Sequence, residues 1–252
     1  MEFSIESLLI DLLLVLLTYG YIFLTIIIPV QLKKRDKVSK FTARKMVHFL
    51  AGLSVLITPF FNYPYFAILI AGSLTVLTYF SSKESKIKQL KDLYDSIGEE
   101  AEEKAGRLLG PFNYCLSITI LMTIFVIFAP HQLYFPIAGI LIMIVADTLA
   151  SVVGKRWGRI PIHLPWTSTR TVLGSITMFG AAFLLCVGSF WYFGIYNPLT
   201  QTPLTWDIIV LYAIITAVLA TAIEIASPST WDDLTVPIGS TIIIYLLTFI
   251  YL

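Results

Sequence analysis

Charge is scarce in this chain. Of its 252 residues only 13% are Asp, Glu, Lys or Arg, and the formal net charge is +1. That balance excludes a polyelectrolyte surface and implies no nucleic-acid partner. Cysteine is almost missing as well. Cys115 and Cys186 have no second Cys or His nearby at metal-ligand spacing, so both read as small apolar packing residues. There is no internal repeat and no low-complexity tract. The chain opens with Met1, Glu2 and Glu6, without a basic n-region or a small-residue cleavage site, so residues 1 to 30 read as a retained helix.

What is abundant is hydrocarbon. Hydrophobic residues make up 57% of the chain, and the mean hydropathy is +0.83, which marks an integral membrane protein. Apolar runs near 6 to 30, 46 to 61, 64 to 81, 112 to 130, 133 to 153, 172 to 195, 207 to 226 and 235 to 252 are long enough, at 1.5 Å per helical residue, to cross about 30 Å of hydrocarbon. The expected fold is all-α: a polytopic transmembrane helical bundle of about seven or eight spans in a single membrane domain. Spans two and three are short and close together, so a tilted or re-entrant pair is an alternative to two crossings. Tyr63, Tyr65, Tyr134, Trp166 and Trp206 lie near span ends, where interfacial anchors belong.

All seventeen Lys and Arg residues fall within 33 to 45, 83 to 107 and 155 to 170. Basic loops are retained inside, so an outer amino terminus and a cytoplasmic polar face satisfy all three at once. Residues 82 to 108 mix Lys and Glu with Ile87, Leu90, Leu93, Tyr94 and Ile97 at helical spacing. This segment suits an amphipathic helix on the membrane surface or a solvated connecting helix.

Four polar clusters lie in or against apolar spans, where ionisable groups are expensive. In Arg44-Lys45-Met46-Val47-His48, Arg44 and His48 share one helical face, as basic anchors or as phosphate and proton-transfer groups. Asp147 ends an apolar run and needs a cation, a metal or a proton. Small residues at 146, 150, 151 and 154 leave a groove for a helix or a ligand, and Lys155, Arg156 and Arg159 beyond can hold phosphate oxygens. Arg170, Thr171, Gly174 and Ser175 open the next span, as an anion site or as an ordinary cap. Glu224, Asp232 and Asp233 flank one further loop, which includes Ser229 and Thr230. With Asp147 they offer hard oxygen ligands suited to Mg²⁺ on a polyphosphate, and an N-cap role accounts for one of the Asp pair.

Carboxylates for Mg²⁺, cations for phosphates and a bilayer alongside describe phosphoryl or nucleotidyl transfer to a lipid. In this scheme Asp147, Glu224, Asp232 and Asp233 hold the metal. His48, Asp147 and Glu224 are the catalytic candidates, with His48 the best neutral base. Arg44, Lys45, Lys155, Arg156, Arg159, Arg170, Thr171, Gly174 and Ser175 bind nucleotide.

At the same clusters the chain resembles the CTP-dependent lipid kinase family of dolichol kinase, yeast-type diacylglycerol kinase and phytol kinase. RKMVH is similar to the family's Arg-Lys-x-x-His, and ADTLASVVGKRWGR to its Gly-Asp-x-x-Ala-Ser-x-x-Gly segment. TRTVLGS resembles Lys-Thr-x-x-Gly-Ser/Thr, and WDDLTVP resembles Asp-Asp-Asn-Leu-Thr-Val/Ile-Pro. Ala146 replaces a Gly, Arg170 stands where Lys is usual, Trp231 takes the place of the first Asp, and Asp233 that of the Asn. Gly110-Pro111-Phe112-Asn113-Tyr114 resembles a phytol kinase segment and points to a polyprenyl alcohol such as phytol or geranylgeraniol. The resemblance implies CTP as phosphate donor, a prenyl or other lipid alcohol as acceptor, and a prokaryotic plasma membrane or a thylakoid as location. CTP:phosphatidate cytidylyltransferases share some of these segments, but their His-Gly-Gly-rich C-terminal signature is missing. An anionic-solute transporter would gather its ionisable groups at midplane and show an inverted repeat.

Overall fold

The computed structural model describes residues 4–98, 100–165, 167–196, 201–228 and 231–251. Among these, six helices are long and apolar enough to cross a membrane: Ile5–Lys34, Leu109–Phe128, Tyr134–Trp157, Val172–Tyr196, Trp206–Ala226 and Asp232–Phe249. Tyr65–Phe80 is a shorter apolar helix. The protein is a polytopic helical membrane bundle. Trp166, Ser229, Thr230 and the first residues, Met1 and Glu2, lie outside the described residues. The chain forms two compact units, Met1–Thr123 and Ile124–Leu252, and the boundary falls inside one helix.

In the first unit, α1 (Ile5–Lys34) starts at Ser4, whose hydroxyl accepts from the Ser7 amide. Its outer face exposes Leu9, Leu13, Leu16 and Leu17, a surface that a bilayer covers. α2 (Lys40–Gly52) is capped by Ser39, which accepts from Thr42 N at 3.1 Å. The span expected over 46 to 61 is not one α-helix. After Gly52 the chain tightens into a 3₁₀ stretch, Leu53–Phe60, with Pro59 inside it, before α3 (Tyr65–Phe80). Pro59 has no amide to continue an α-helical ladder, and the first half of α2 is too polar to serve as span.

Asp11 joins α1 to the turn that follows the 3₁₀ stretch. It is fully buried, and it accepts from Asn62 N at 2.9 Å, Asn62 Nδ2 at 3.0 Å and Tyr63 N at 2.7 Å. Three donors offset the cost of a carboxylate inside the helix bundle.

The amphipathic segment forms α4 (Lys88–Ile97) and α5 (Glu100–Ala105), and its base is closed by a bridge between Ser82 and Arg107. The apolar face of α4 is covered by protein: Leu93, Tyr94 and Ile97 pack with Val30 of α1, Ala43 of α2 and Leu108. Lys34 and Asp92, paired at 2.6 Å, hold the edge of that contact. α6 (Leu109–Phe128) follows.

In the second unit, α7 (Tyr134–Leu141) is buried at every one of its eight positions, so it is the unit's central helix. Phe135 is its aromatic hub, with ring centroids 5.6 Å from Phe190, 5.8 Å from Tyr212 and 6.1 Å from Tyr245. Tyr134, expected as an interfacial anchor, is buried in the same core, whereas Tyr65 and Trp206 are exposed. A π-helical stretch, Ile142–Ala146, joins α7 to α8 (Asp147–Trp157). Then comes an unexpected hairpin, β1 (Pro161–Leu164) antiparallel to β2 (Thr167–Thr171), with Ile162 opposite Arg170. His163 is an exposed residue of β1. The unit closes with α9 (Val172–Trp191), α10 (Trp206–Ala226) and α11 (Asp232–Tyr251); α9 packs on α7, α8 and α10. Cys115, in the first unit, and Cys186 are both buried and form no disulfide among the described residues.

Candidate active site

The second unit brings four chain ends to one place: the start of α8, the end of β2, the end of α10 and the start of α11. Each end carries an ionisable group. Arg170, delivered by β2, donates Nη1 to Glu224 Oε1 of α10, and Nη2 to Asp232 Oδ2 of α11 at 3.0 Å. Nη2 also reaches Ser227 O at 3.4 Å. The guanidinium fork is thus divided between two carboxylates and a carbonyl, all largely shielded from solvent. Asp232 Oδ1 accepts from the Asp233 amide at 3.0 Å, which ties it to the first turn of α11, where the helix dipole favours negative charge.

Asp147 completes the group. One of its carboxylate oxygens lies within 4.8 Å of one from Asp233, and its charge, with those of Asp233 and Arg170, acts on Asp232. In the sequence these carboxylates have no basic residue within two positions; in space Arg170 serves two of them. Among the described residues, four buried polar atoms on the elements that meet here have no hydrogen-bond partner: Arg170 Nε, Glu224 Oε2, Ser175 Oγ and Thr148 Oγ1. Buried polar atoms are seldom left unsatisfied, so this concentration marks a place built to meet something else.

The glycines here serve packing. The groove along Ala146, Ala150, Ser151 and Gly154 is filled by α9. A Cβ on Gly154 would meet Thr171 Oγ1 at 2.8 Å and Gly174 Cα at 3.3 Å, and one on Gly174 would meet Ala150 O at 3.1 Å. Thr171 is the N-cap of α9, its hydroxyl accepting from Gly174 N at 3.1 Å, so part of the expected anion site is occupied by the chain itself. Lys155, Arg156 and Arg159 are exposed at and beyond the end of α8, with Arg156 lying 4.9 Å from the ring of its neighbour Trp157.

The remaining candidates belong to the first unit. Arg44 donates to Glu102 Oε2 at 2.6 Å, in a pair whose side chains are 12% and 0% exposed. Lys45 is half-buried on the same helix. The His48 ring lies 4.4 Å from that of Tyr114, whose hydroxyl donates to the His48 carbonyl at 3.0 Å. Glu102 and Asp11 were missed by sequence reasoning, and Tyr114 was noted only within the GPFNY segment, without its tie to His48. Asp11 alone carried a signal, as an acid within an apolar run.

No protein-family model and no solved structure matches the chain. Among curated proteins it is similar to the probable chloroplastic phytol kinase 3 of Glycine max, with 28% identity over 214 residues, 83% of this chain and 64% of that protein. The phytol kinase of Synechocystis sp. shares 32% over 216 residues, 83% of this chain and 80% of that one. The dolichol kinase of Saccharomyces cerevisiae shares 30% over 163 residues, 64% of this chain but only 30% of the yeast protein. Less than two thirds of the Glycine max protein is therefore spanned, and four fifths of the Synechocystis one. With that last relative matched across most of both lengths, the chain belongs to the family of phytol and dolichol kinases.

Proposed function

We propose that this protein is a membrane-embedded lipid kinase that transfers the γ-phosphate of CTP to a long-chain isoprenoid alcohol such as phytol or geranylgeraniol, on the cytoplasmic face. The observation that carries the reading is the convergence of Asp147 and Asp233 beside the Arg170 node, together with the phytol and dolichol kinase relatives.

The donors fit Mg²⁺, since they are hard carboxylate oxygens gathered from three helices. Asp147 and Asp233 would hold the ion, with Glu224 Oε2 and Asp232 at the margin; the ion supplies charge neutralisation on the phosphates. Arg170 holds Glu224 and Asp232 in position, and its Nε is left to face a phosphate oxygen. Ser175 and Thr148 supply neutral hydroxyls. Arg156 and Arg159, exposed and long, suit the outer part of a nucleotide. His48 takes the alcohol's proton late in the transfer, because a loose transition state asks for positioning before it asks for a strong base.

The purified protein in detergent, given Mg²⁺ and phytol, geranylgeraniol or diacylglycerol, decides this with CTP labelled at two positions. Label from γ-phosphate should appear in a lipid monophosphate and be abolished by EDTA, with ATP a poor substitute. Label from α-phosphate in a CDP-lipid would make the protein a cytidylyltransferase, and no lipid label from either position would refute the kinase reading.

A further inference from the structure

Two motifs that stand apart in the sequence, RKMVH and GPFNY, are joined in the first unit by two rungs. On α2, Arg44 and His48 are one helical turn apart; on α6, so are Gly110 and Tyr114. The lower rung runs through Glu102. Its Oε2 accepts from Arg44 Nη1 at 2.6 Å and its Oε1 from Gly110 N at 2.6 Å. The upper rung is direct: Tyr114 Oη donates to the His48 carbonyl at 3.0 Å, and the two rings lie 4.4 Å apart at 46°.

Each part of the lower rung depends on the others. Gly110 N is one of the first amides of α6, which no carbonyl of its own helix can satisfy, and a carboxylate is the favoured partner at that end. A Cβ at Gly110 would fall on the Arg44 guanidinium and come within 3.1 Å of Glu102 Oε1, so a side chain there would displace the pair from the start of α6. Tyr94 holds α5 from outside, its hydroxyl donating to the Glu102 carbonyl at 3.3 Å. Arg44 also donates to Ile97 O at 3.4 Å. A guanidinium enclosed in this way, with 12% of its side chain exposed, is engaged by the protein and poorly placed to hold a nucleotide.

We infer that Glu102, Gly110 and Tyr114 are positioning residues that fix α2 against α6 so that His48 is held in place for proton transfer, and that Arg44 belongs to this ladder and is not a phosphate ligand. The inference rests on the lipid-kinase reading above. It predicts a particular kinetic pattern. Loss of a rung misplaces the His48 ring without altering the nucleotide's own contacts, and a misplacement near 1 Å costs on the order of tenfold to a hundredfold in turnover.

The test uses the full-length enzyme in detergent and whichever lipid alcohol the wild type phosphorylates. Glu102→Gln and Tyr114→Phe keep the shape of each side chain while removing the charge or the hydroxyl. Each should lower kcat about tenfold or more and leave KM for the nucleotide within about twofold. Combined with His48→Ala, each should cost less than about twofold further, because residues acting through one group are not additive. Should Glu102→Gln fail to fold, Tyr114→Phe carries the same comparison. Full additivity in the His48→Ala background, unchanged kcat in both single variants, or unchanged kcat in His48→Ala would overturn the inference. So would an Arg44→Ala variant that raises KM for the nucleotide tenfold at constant kcat. A wild type that phosphorylates no lipid alcohol overturns the proposed function itself and takes this inference with it; each of the other outcomes strikes the ladder in an active enzyme.

Discussion

Replacing Arg170 with Ala should weaken the fold before anything is learned about substrate. The guanidinium is 9% exposed and serves Glu224 and Asp232, whose side chains are 6% and 16% exposed. Its removal leaves two carboxylates in a largely dry place with the cation gone, and breaking a buried pair in this one-sided way costs about 3–5 kcal/mol. For a chain of this size each kcal/mol moves the unfolding midpoint by about 2–4 °C, so the variant should melt roughly 6–20 °C lower. Arg170→Lys keeps a charge but has no fork to reach both acids, so it should fall in between. The five tryptophans make fluorescence-monitored thermal unfolding in detergent a direct assay. Arg156→Ala is the control, since its exposed guanidinium should be worth within about 0.5 kcal/mol. If Arg170→Ala melts within a degree or two of wild type, the ion-paired node is not holding the ends of β2, α10 and α11 together. If it melts normally and only KM for CTP rises, Arg170 is a simple phosphate ligand.

Under the proposed function, Asp147→Asn should lower turnover at least about 10²-fold with the melting midpoint preserved, because it would remove charge at the phosphoryl centre while keeping shape; steady-state kinetics on the folded variant checks this. Asp11→Ala strands three donors in the first unit and should cost about 3 kcal/mol or more, with faster hydrogen exchange at Asn62 and Tyr63; unchanged exchange there would show that the turn is held by something else.

The hydrophobic runs made the long helices legible, because a span must be apolar along its whole length and the bilayer leaves few alternatives. The carboxylate cluster was legible for the same reason: an acid at the end of a span announces its cost. Its partners were not. Arg170 is 54 residues from Glu224 and 62 from Asp232, and Glu102 is 58 from Arg44, separations at which sequence spacing carries no geometric information. The hairpin escaped notice because Pro161 and Pro165 break the alternation that would signal strands, and because its register is itself irregular between Ile162 and Leu164. For α4 the apolar face was readable from the helical period, but its covering, Val30 and Ala43 on other helices, was not.

The π-helical stretch before Asp147 frees two requirements that a continuous α-helix would couple. In it the Asp147 amide donates to Ile142 O, five residues back, so the turn holds one residue more than usual. One extra residue swings everything beyond it by roughly 100° about the axis. The helix can therefore present a wholly apolar surface to its neighbours from Tyr134 to Ile144 and still aim the next acid toward α11. Selection can then vary the length and packing of the buried half without moving the carboxylate, as long as the wide turn is kept. Lineages that lose or gain a residue between 142 and 146 should be expected to change this acid's direction before they change anything else about the span.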